Sequence, residues 1–237
     1  MDKKKFWIGG NHSVIAALNN KKRVVYDVVT TEQNPYLDKK EIKYTIKNKK
    51  FFSKIFHKVE ISHQGIAALV SLPNYQKLEN IFNEETINNI IMLDGITDPM
   101  NLGTIIRNSL AFNIDLIIVN EREFNDSSPA MIKSASGAIE KINICKVKNL
   151  LHAINFLKKK NFWIVGLDSE TNTDIANHKW NDNNAFLFGS EGYGIKKILK
   201  INCDYLLKIN INKKIESLNV SSAVAATLAI FNKQNSI

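Results

Sequence analysis

The sequence predicts an α/β protein whose larger part is a parallel sheet covered by helices, preceded by a smaller α/β unit. Three observations carry this. From residue 90 onward, short apolar runs alternate with helically spaced ones, the pattern that successive βα units produce. The runs Ile90-Ile91-Met92-Leu93 and Leu116-Ile117-Ile118-Val119 are apolar at every position, as strands buried on both faces are. Three of the runs are followed by a loop of glycine and polar residues and then by a helix, and ligands of such sheets bind beyond the carboxyl ends of the strands.

The smaller unit opens at Gly9-Gly10 with a short helix over 13–18, capped by Asn11 or Ser13, and a strand over 23–29. From 39 to 58 lysines interleave with Ile42, Tyr44, Ile46, Phe51, Phe52, Ile55 and Phe56, a spacing compatible with an amphipathic helix plus a strand. Most of these lysines read as a solvated face, and the alternative is a basic surface with aromatics for RNA. His63-Gln64-Gly65 is a polar turn before a strand ending at Val70. Pro73-Asn74 then opens a polar connector, so the first domain is placed at 1–75, a linker with a short helix at 76–88 and the second domain at 89–237. The second domain reads as strands at 90–93, 116–119, 142–145, 162–167, 185–188 and 205–211. Its helices fall at 102–112, 129–136, 150–160, 196–202 and 220–232.

At 237 residues and 44% hydrophobic content the chain can bury real cores, and its charge of +9 favours a polyanionic partner. Cys145 and Cys203 stand far apart, without nearby Cys/His pairs, so neither a disulfide framework nor a metal is expected. Lysines 3–5 precede no apolar stretch long enough for a signal peptide, and no run approaches a membrane span; a cytoplasmic protein is expected.

The three loops decide what chemistry is available. Gly189-Ser190-Glu191-Gly192-Tyr193-Gly194 is neither a phosphate loop, lacking Lys and Ser/Thr after its last glycine, nor a G-x-G-x-x-G fingerprint. All five histidines lie outside the loops, which argues against a Ser-His hydrolase. What remains is Asn101, Arg107, Glu191, Ser217 and Asn219, with many backbone donors. Asp98-Pro99 forces an extended turn, Asn101 is placed as the helix N-cap and Gly103 lets another backbone approach. Ser217 and Asn219 sit where a strand hands over to the last helix, where they cap free N–H groups or hold a ligand. Arg107, on the helix after the first loop, could reach a phosphate or ribose there, and a plain reading of Glu191 is as its partner.

Asp98-Pro99-Met100-Asn101-Leu102-Gly103 with Arg107, Gly189-Ser190-Glu191-Gly192, and Ser217-Leu218-Asn219-Val220-Ser221 resemble, in order, the three motifs of the SpoU-type RNA 2′-O-ribose methyltransferases. The resemblance covers residues 90–232. Gly10-Asn11-His12-Ser13-Val14 and His63-Gln64-Gly65-Ile66 also look like the substrate-binding extension of members that modify guanosine in large-subunit ribosomal RNA. It implies a C-terminal deep trefoil knot, a homodimer with active sites at the interface, and S-adenosylmethionine as cofactor without metal. Gly189, Ile209 and Leu218, with Phe188, Gly192 and Ile211, would line the cofactor site. Arg107 would approach the ribose hydroxyl, as base or as the group that orients and acidifies it, while Asn101, Glu191, Ser217 and Asn219 shape the site. Lys213 stands where such relatives commonly carry glycine, and Glu216 where another serine often precedes Ser217, so the loop over the methyl donor is expected to differ in shape. The expected reaction is methylation of a guanosine ribose in large-subunit ribosomal RNA. The rivals are a transfer-RNA ribose methyltransferase and a non-catalytic RNA-binding factor, and retention of Arg107 and Asn101 speaks against the latter.

Overall fold

The computed structural model describes residues 5–57 and 62–235. Four strands, β1 (Lys5–Gly9), β2 (Val25–Thr30), β3 (Thr45–Ile46) and β4 (Ile66–Ser71), form a first sheet in the order β1-β4-β2-β3. β4 runs antiparallel to both neighbours. Strand β1 went unforeseen because three lysines and a Gly-Gly pair leave too few apolar residues to show alternation. Helix α1 (Asn11–Asn19) is capped by Gly10 at φ 98°, not by Asn11 or Ser13. Asn11 N–H is instead taken by Gln64 Oε1 at 3.1 Å, and Ser13 is buried with its hydroxyl donating to Ile132 O.

The basic run holds the expected strand and helix, both short. It holds the end of α2 (Pro35–Lys39), then β3, then the seven-residue α3 (Lys49–Ile55), whose Phe52 packs with Phe56, Val29 and Ala67. Asn34 and Asn48 cap these two helices, which splits the run into short pieces. Lys58, at the end of the run, lies outside the described residues.

After α4 (Leu78–Glu84) comes a six-stranded sheet of β5 (Asn89–Leu93), β6 (Leu116–Asn120), β7 (Asn143–Val147), β8 (Trp163–Leu167), β9 (Asn184–Phe188) and β10 (Tyr205–Leu207). Its order is β10-β8-β9-β5-β6-β7, and every pairing is parallel. Helices α5 (Pro99–Ala111), α6 (Pro129–Ala135), α7 (Leu150–Lys159), α8 (Lys197–Lys200) and α9 (Val220–Asn235) complete it. The two-residue strand period sorts the core: Ile90, Met92, Leu116 and Ile118 face the layer that holds α4 and α7, while Ile91, Leu93, Ile117 and Val119 face that of α5, α6 and α9. Sequence runs that are apolar throughout are therefore strands with a core on each side.

The last strand is shorter than the expected 205–211. Tyr205 to Leu207 pair with Val165 to Leu167, after which Lys208 N–H bonds to Thr173 O and Lys208 O accepts from Ile175 N–H. The chain from Ile209 to Asn219 leaves the sheet, since Lys208, the last residue before it, already takes its backbone partners from Thr173 and Ile175 rather than from a strand.

The two sheets share one core. Ile8, Val14, Ala17, Val28, Ile66 and Val70 of the first are continuous with Met131, Ile132 and Ala135 of α6. A buried ion pair, Arg23 Nη2 to Glu140 Oε1 at 3.1 Å, crosses the same seam, and Asn20 Nδ2 donates to Glu140 Oε2 at 2.7 Å. No helix among the described residues is long and apolar enough to cross a membrane.

Candidate active site

The three loops flagged in the sequence follow β5, β9 and β10, all at the carboxyl edge of the parallel sheet. β5 and β9 are direct neighbours at the point where the strand order reverses. The helix cap after β5 differs from expectation: Asp98, not Asn101, is the N-cap of α5. Its Oδ1 accepts from Asn101 N–H at 2.7 Å, with Pro99 at the first helical position. A carboxylate capper followed by proline is pre-organised for a helix start, and it leaves the Asn101 side chain free. Gly103 does permit a close approach: a Cβ there would lie 2.3 Å from Met131 O and 2.6 Å from Ser134 Cβ.

The freed Asn101 amide joins the other two loops. Its Nδ2 donates to Glu191 Oε1 at 3.1 Å. Asn219 Nδ2 donates to the same Oε1 at 2.8 Å and to Asn101 Oδ1 at 2.9 Å, and Val220 N–H reaches Oε1 at 3.3 Å. Asn219 Oδ1 meanwhile caps α9, accepting from Ser221 N–H at 2.9 Å and Ser221 Oγ at 2.6 Å. Asn219 is therefore both a helix cap and a member of the cluster. Glu191 is not the partner of Arg107, as a plain reading of the sequence had it; its acceptor oxygen is occupied by amides.

Beside this cluster opens a cleft of about 580 Å³. Its walls include Phe188, Gly189, Gly192, Ile209, Ile211 and Leu218, together with Glu191 and Ser217. A tight turn forms one side, with Ser190 N–H to Gly194 O at 3.2 Å and Gly194 N–H to Ser190 O at 2.9 Å. A Cβ on Gly189 would come within 2.0 Å of Gly194 C, so only glycine closes this turn. Gly192 and Gly194 have open space where a Cβ would be, leaving backbone bare toward a ligand. Behind the turn, Asp94, 1% exposed, accepts from Lys196 N–H at 2.8 Å and from Lys196 Nζ at 2.7 Å. That hydrogen bond to a carboxylate raises the lysine's pKa.

Sequence reasoning passed over Asp168, Glu170 and Lys200, which also line the cleft. Lys200 pairs with Asp168 and, at 3.1 Å, with Glu170. The residues are about 30 apart in sequence and carry no motif; only the crossing of the segment after β8 beside β10 brings them together. Cys145 and Cys203 take no part: burial pushes both thiols up to about 11, so neither is a ready nucleophile.

Arg107 stands apart from its expected place. It lies exposed on α5, outside the cleft walls of its own chain, and its side chain makes no hydrogen bond or ion pair among the described residues. Next to it, Asn108 Nδ2 donates to Ser221 O at 3.2 Å and ties α5 to α9.

Residues 88–229 match the SpoU rRNA Methylase family. The chain belongs to this family. As a SpoU protein it is an RNA methyltransferase, and relatives agree: a protein assigned to the TrmH family of tRNA/rRNA methyltransferases in Staphylococcus aureus is 32% identical over 183 residues, 76% of this chain and 73% of the relative. Its counterpart YacO in Bacillus subtilis is 31% identical over 180 residues, 74% of this chain and 72% of its own length. Among solved structures, an RNA 2′-O ribose methyltransferase superposes with TM-score 0.83 at 18% identity, covering 99% of this chain and 90% of that one. The SpoU methyltransferase AviRb of Streptomyces viridochromogenes, in complex with its cofactor AdoMet, superposes with TM-score 0.81 at 18% identity, covering 97% and 90%. At these identities the structural likeness establishes the α/β fold with its parallel sheet.

Proposed function

We propose that this SpoU protein transfers the methyl group of S-adenosylmethionine to a ribose 2′-hydroxyl, of a guanosine in large-subunit ribosomal RNA. The observation that supports this most is the meeting of all three family motifs at one place: a glycine-walled cleft opening beside the Asn101–Glu191–Asn219 cluster. The cleft suits the cofactor in size and character. It offers apolar Phe188, Ile209, Ile211 and Leu218, bare backbone at Gly192 and Gly194, and the carboxylates of Asp168 and Glu170. When bound, the cofactor supplies a methyl group on a sulfonium, a strong electrophile. The chain's own task is then to exclude water, hold the ribose in line and ease the loss of the hydroxyl proton. Arg107 is assigned to orienting and acidifying that hydroxyl, since a guanidinium stays protonated in proteins. Ser217 and Asn219 position the loop over the methyl donor, while Asn101 and Glu191 hold it against the first motif.

Arg107 is absent from the cleft of its own chain, so the reading includes a homodimer in which each cleft receives the arginine of the other copy. It also includes a trefoil knot, with the strand and helix after residue 204 threaded through the segment that follows β8. The backbone bonds of Lys208 to Thr173 and Ile175 support that threading. The first unit, residues 1–75, is assigned to RNA binding, and the cytoplasm to the whole.

Labelled methyl transfer from S-adenosylmethionine to total unmodified RNA, with the RNA classes separated afterwards, tests the proposal. Alkali-resistant label at one ribose of large-subunit ribosomal RNA, absent with Arg107→Ala, is the expected result. Label confined to transfer RNA would move the substrate, and none in any class, assembling ribosomal particles included, would overturn the reaction.

A further inference from the structure

The motifs Gly10-Asn11 and His63-Gln64-Gly65 are not absorbed by the catalytic cleft, yet the fold brings them together on one residue of the other unit, Lys133 of α6. Its Nζ donates to Gln64 Oε1 at 3.0 Å, the oxygen that also accepts from Asn11 N–H. The side chain lies across Gly10 so closely that a Cβ there would stand 2.3 Å from Nζ. Gln64 holds φ 54°, a left-handed conformation unusual for glutamine, and the adjoining His63 is stacked on Phe52 with centroids 4.5 Å apart. Strain and packing of this kind are sustained where a side chain must be aimed.

The lysine so held has no carboxylate within ion-pair distance among the described residues, in contrast to Lys146, Lys158, Lys196 and Lys200. Burial lowers its pKa, as expected for a cation that has lost water without gaining an anion. The next residue, Ser134, donates through Oγ to Met100 O at 3.1 Å and lies 2.9 Å from Thr104 Oγ1, so the same short helix abuts the first catalytic loop. We infer that Lys133, laid across Gly10 and held by Gln64, is a seat for a backbone phosphate of the RNA, placed where the first unit meets the catalytic loops. A phosphate there supplies the missing counter-charge and fixes the register of the strand without reading its sequence. This rests on the proposed RNA methylation for the identity of the ligand.

The test measures binding of unmodified large-subunit ribosomal RNA fragments by fluorescence anisotropy over a range of salt. Lys133→Gln is expected to weaken binding about tenfold at low salt and to reduce the slope of log affinity against log salt by about 1, the signature of one lost phosphate contact. Binding of S-adenosylmethionine stays unchanged. Gln64→Glu separates a phosphate seat from a simple clasp between units. It gives Lys133 an internal carboxylate, so the melting temperature holds or rises while RNA affinity falls. A wild-type salt slope in Lys133→Gln, or undiminished RNA binding in Gln64→Glu, overturns the inference, as does wild-type protein that binds no RNA. Methyl transfer by the wild type is followed in parallel. Transfer with no dependence of binding on Lys133 defeats the seat alone; a Lys133-dependent slope without transfer defeats the methylation reading and leaves the seat.

Discussion

Glu191 Oε1 is the atom on which the three motif loops meet, accepting from Asn101, Asn219 and the backbone of Val220. Its cluster is largely open to water, so its bonds add little to global stability, but they fix where the first and third motifs stand relative to the cleft. Glu191→Gln keeps the shape and weakens the acceptor. Methyl transfer is expected to fall about tenfold, a loss of about 1.4 kcal/mol in transition-state stabilisation. The melting temperature should stay within about 2 °C of wild type, since exposed bonds of this kind carry only tenths of a kcal/mol. Steady-state kinetics beside thermal unfolding checks both; a large melting shift with an unchanged rate would assign Glu191 to folding. The identities of Asn101, Glu191 and Asn219 were legible in the sequence because each ends an apolar run with a polar loop. Their mutual bonds were not, because residues 101, 191 and 219 share no local pattern. The misplaced cap shows the same limit: Asp98 and Asn101 are both good cappers, and only the backbone at Pro99 decides between them.

Among the elements, the 3₁₀ turn Ala138–Glu140 after α6 carries the side chain that anchors the first unit. Arg23 and Glu140 are 1% and 2% exposed at their side chains, and burial lowers the arginine's pKa while Glu140 opposes that. Arg23 Nε and Nη1 have no hydrogen-bond partner among the described residues, so the carboxylate is the main compensation for the buried cation. Glu140→Ala is therefore expected to cost about 3–5 kcal/mol in denaturant unfolding, while replacing both partners, Arg23→Met with Glu140→Leu, costs much less. Equal losses in the two variants would show that shape rather than charge matters at the seam. Strands β5, β6 and β9 were readable because parallel strands buried on both faces are apolar throughout. β1 and the early end of β10 were not, because each owes its limits to partners distant in sequence: Ile66–Ser71 for β1, and the segment around Thr173–Ile175 for β10.

For the whole molecule, the position of Arg107 has the widest consequence. The residue assigned to the ribose hydroxyl is exposed on α5, whereas the cleft is walled by the loops after β8, β9 and β10. If one chain's arginine serves the other chain's cleft, two differently damaged copies can restore a working site between them. Arg107→Ala retains its cleft, and Gly189→Ala, whose Cβ would meet Gly194 at 2.0 Å, retains its arginine. Each alone should be inactive. Unfolded together and refolded at equal amounts, they give mixed dimers in about half of the population. Each mixed dimer has one site with both parts intact, so about a quarter of wild-type activity is expected under two-fold symmetry. An arginine acting within its own chain predicts no recovery, because every chain in the mixture then carries a defect in its only site. Carrying a different affinity tag on each variant and recovering the doubly tagged dimers distinguishes that outcome from a failure to exchange subunits. The sequence names Arg107 as the residue to mutate; whether a second chain's cleft receives it is what the mixing experiment decides, since no local pattern in one chain encodes a contact between two.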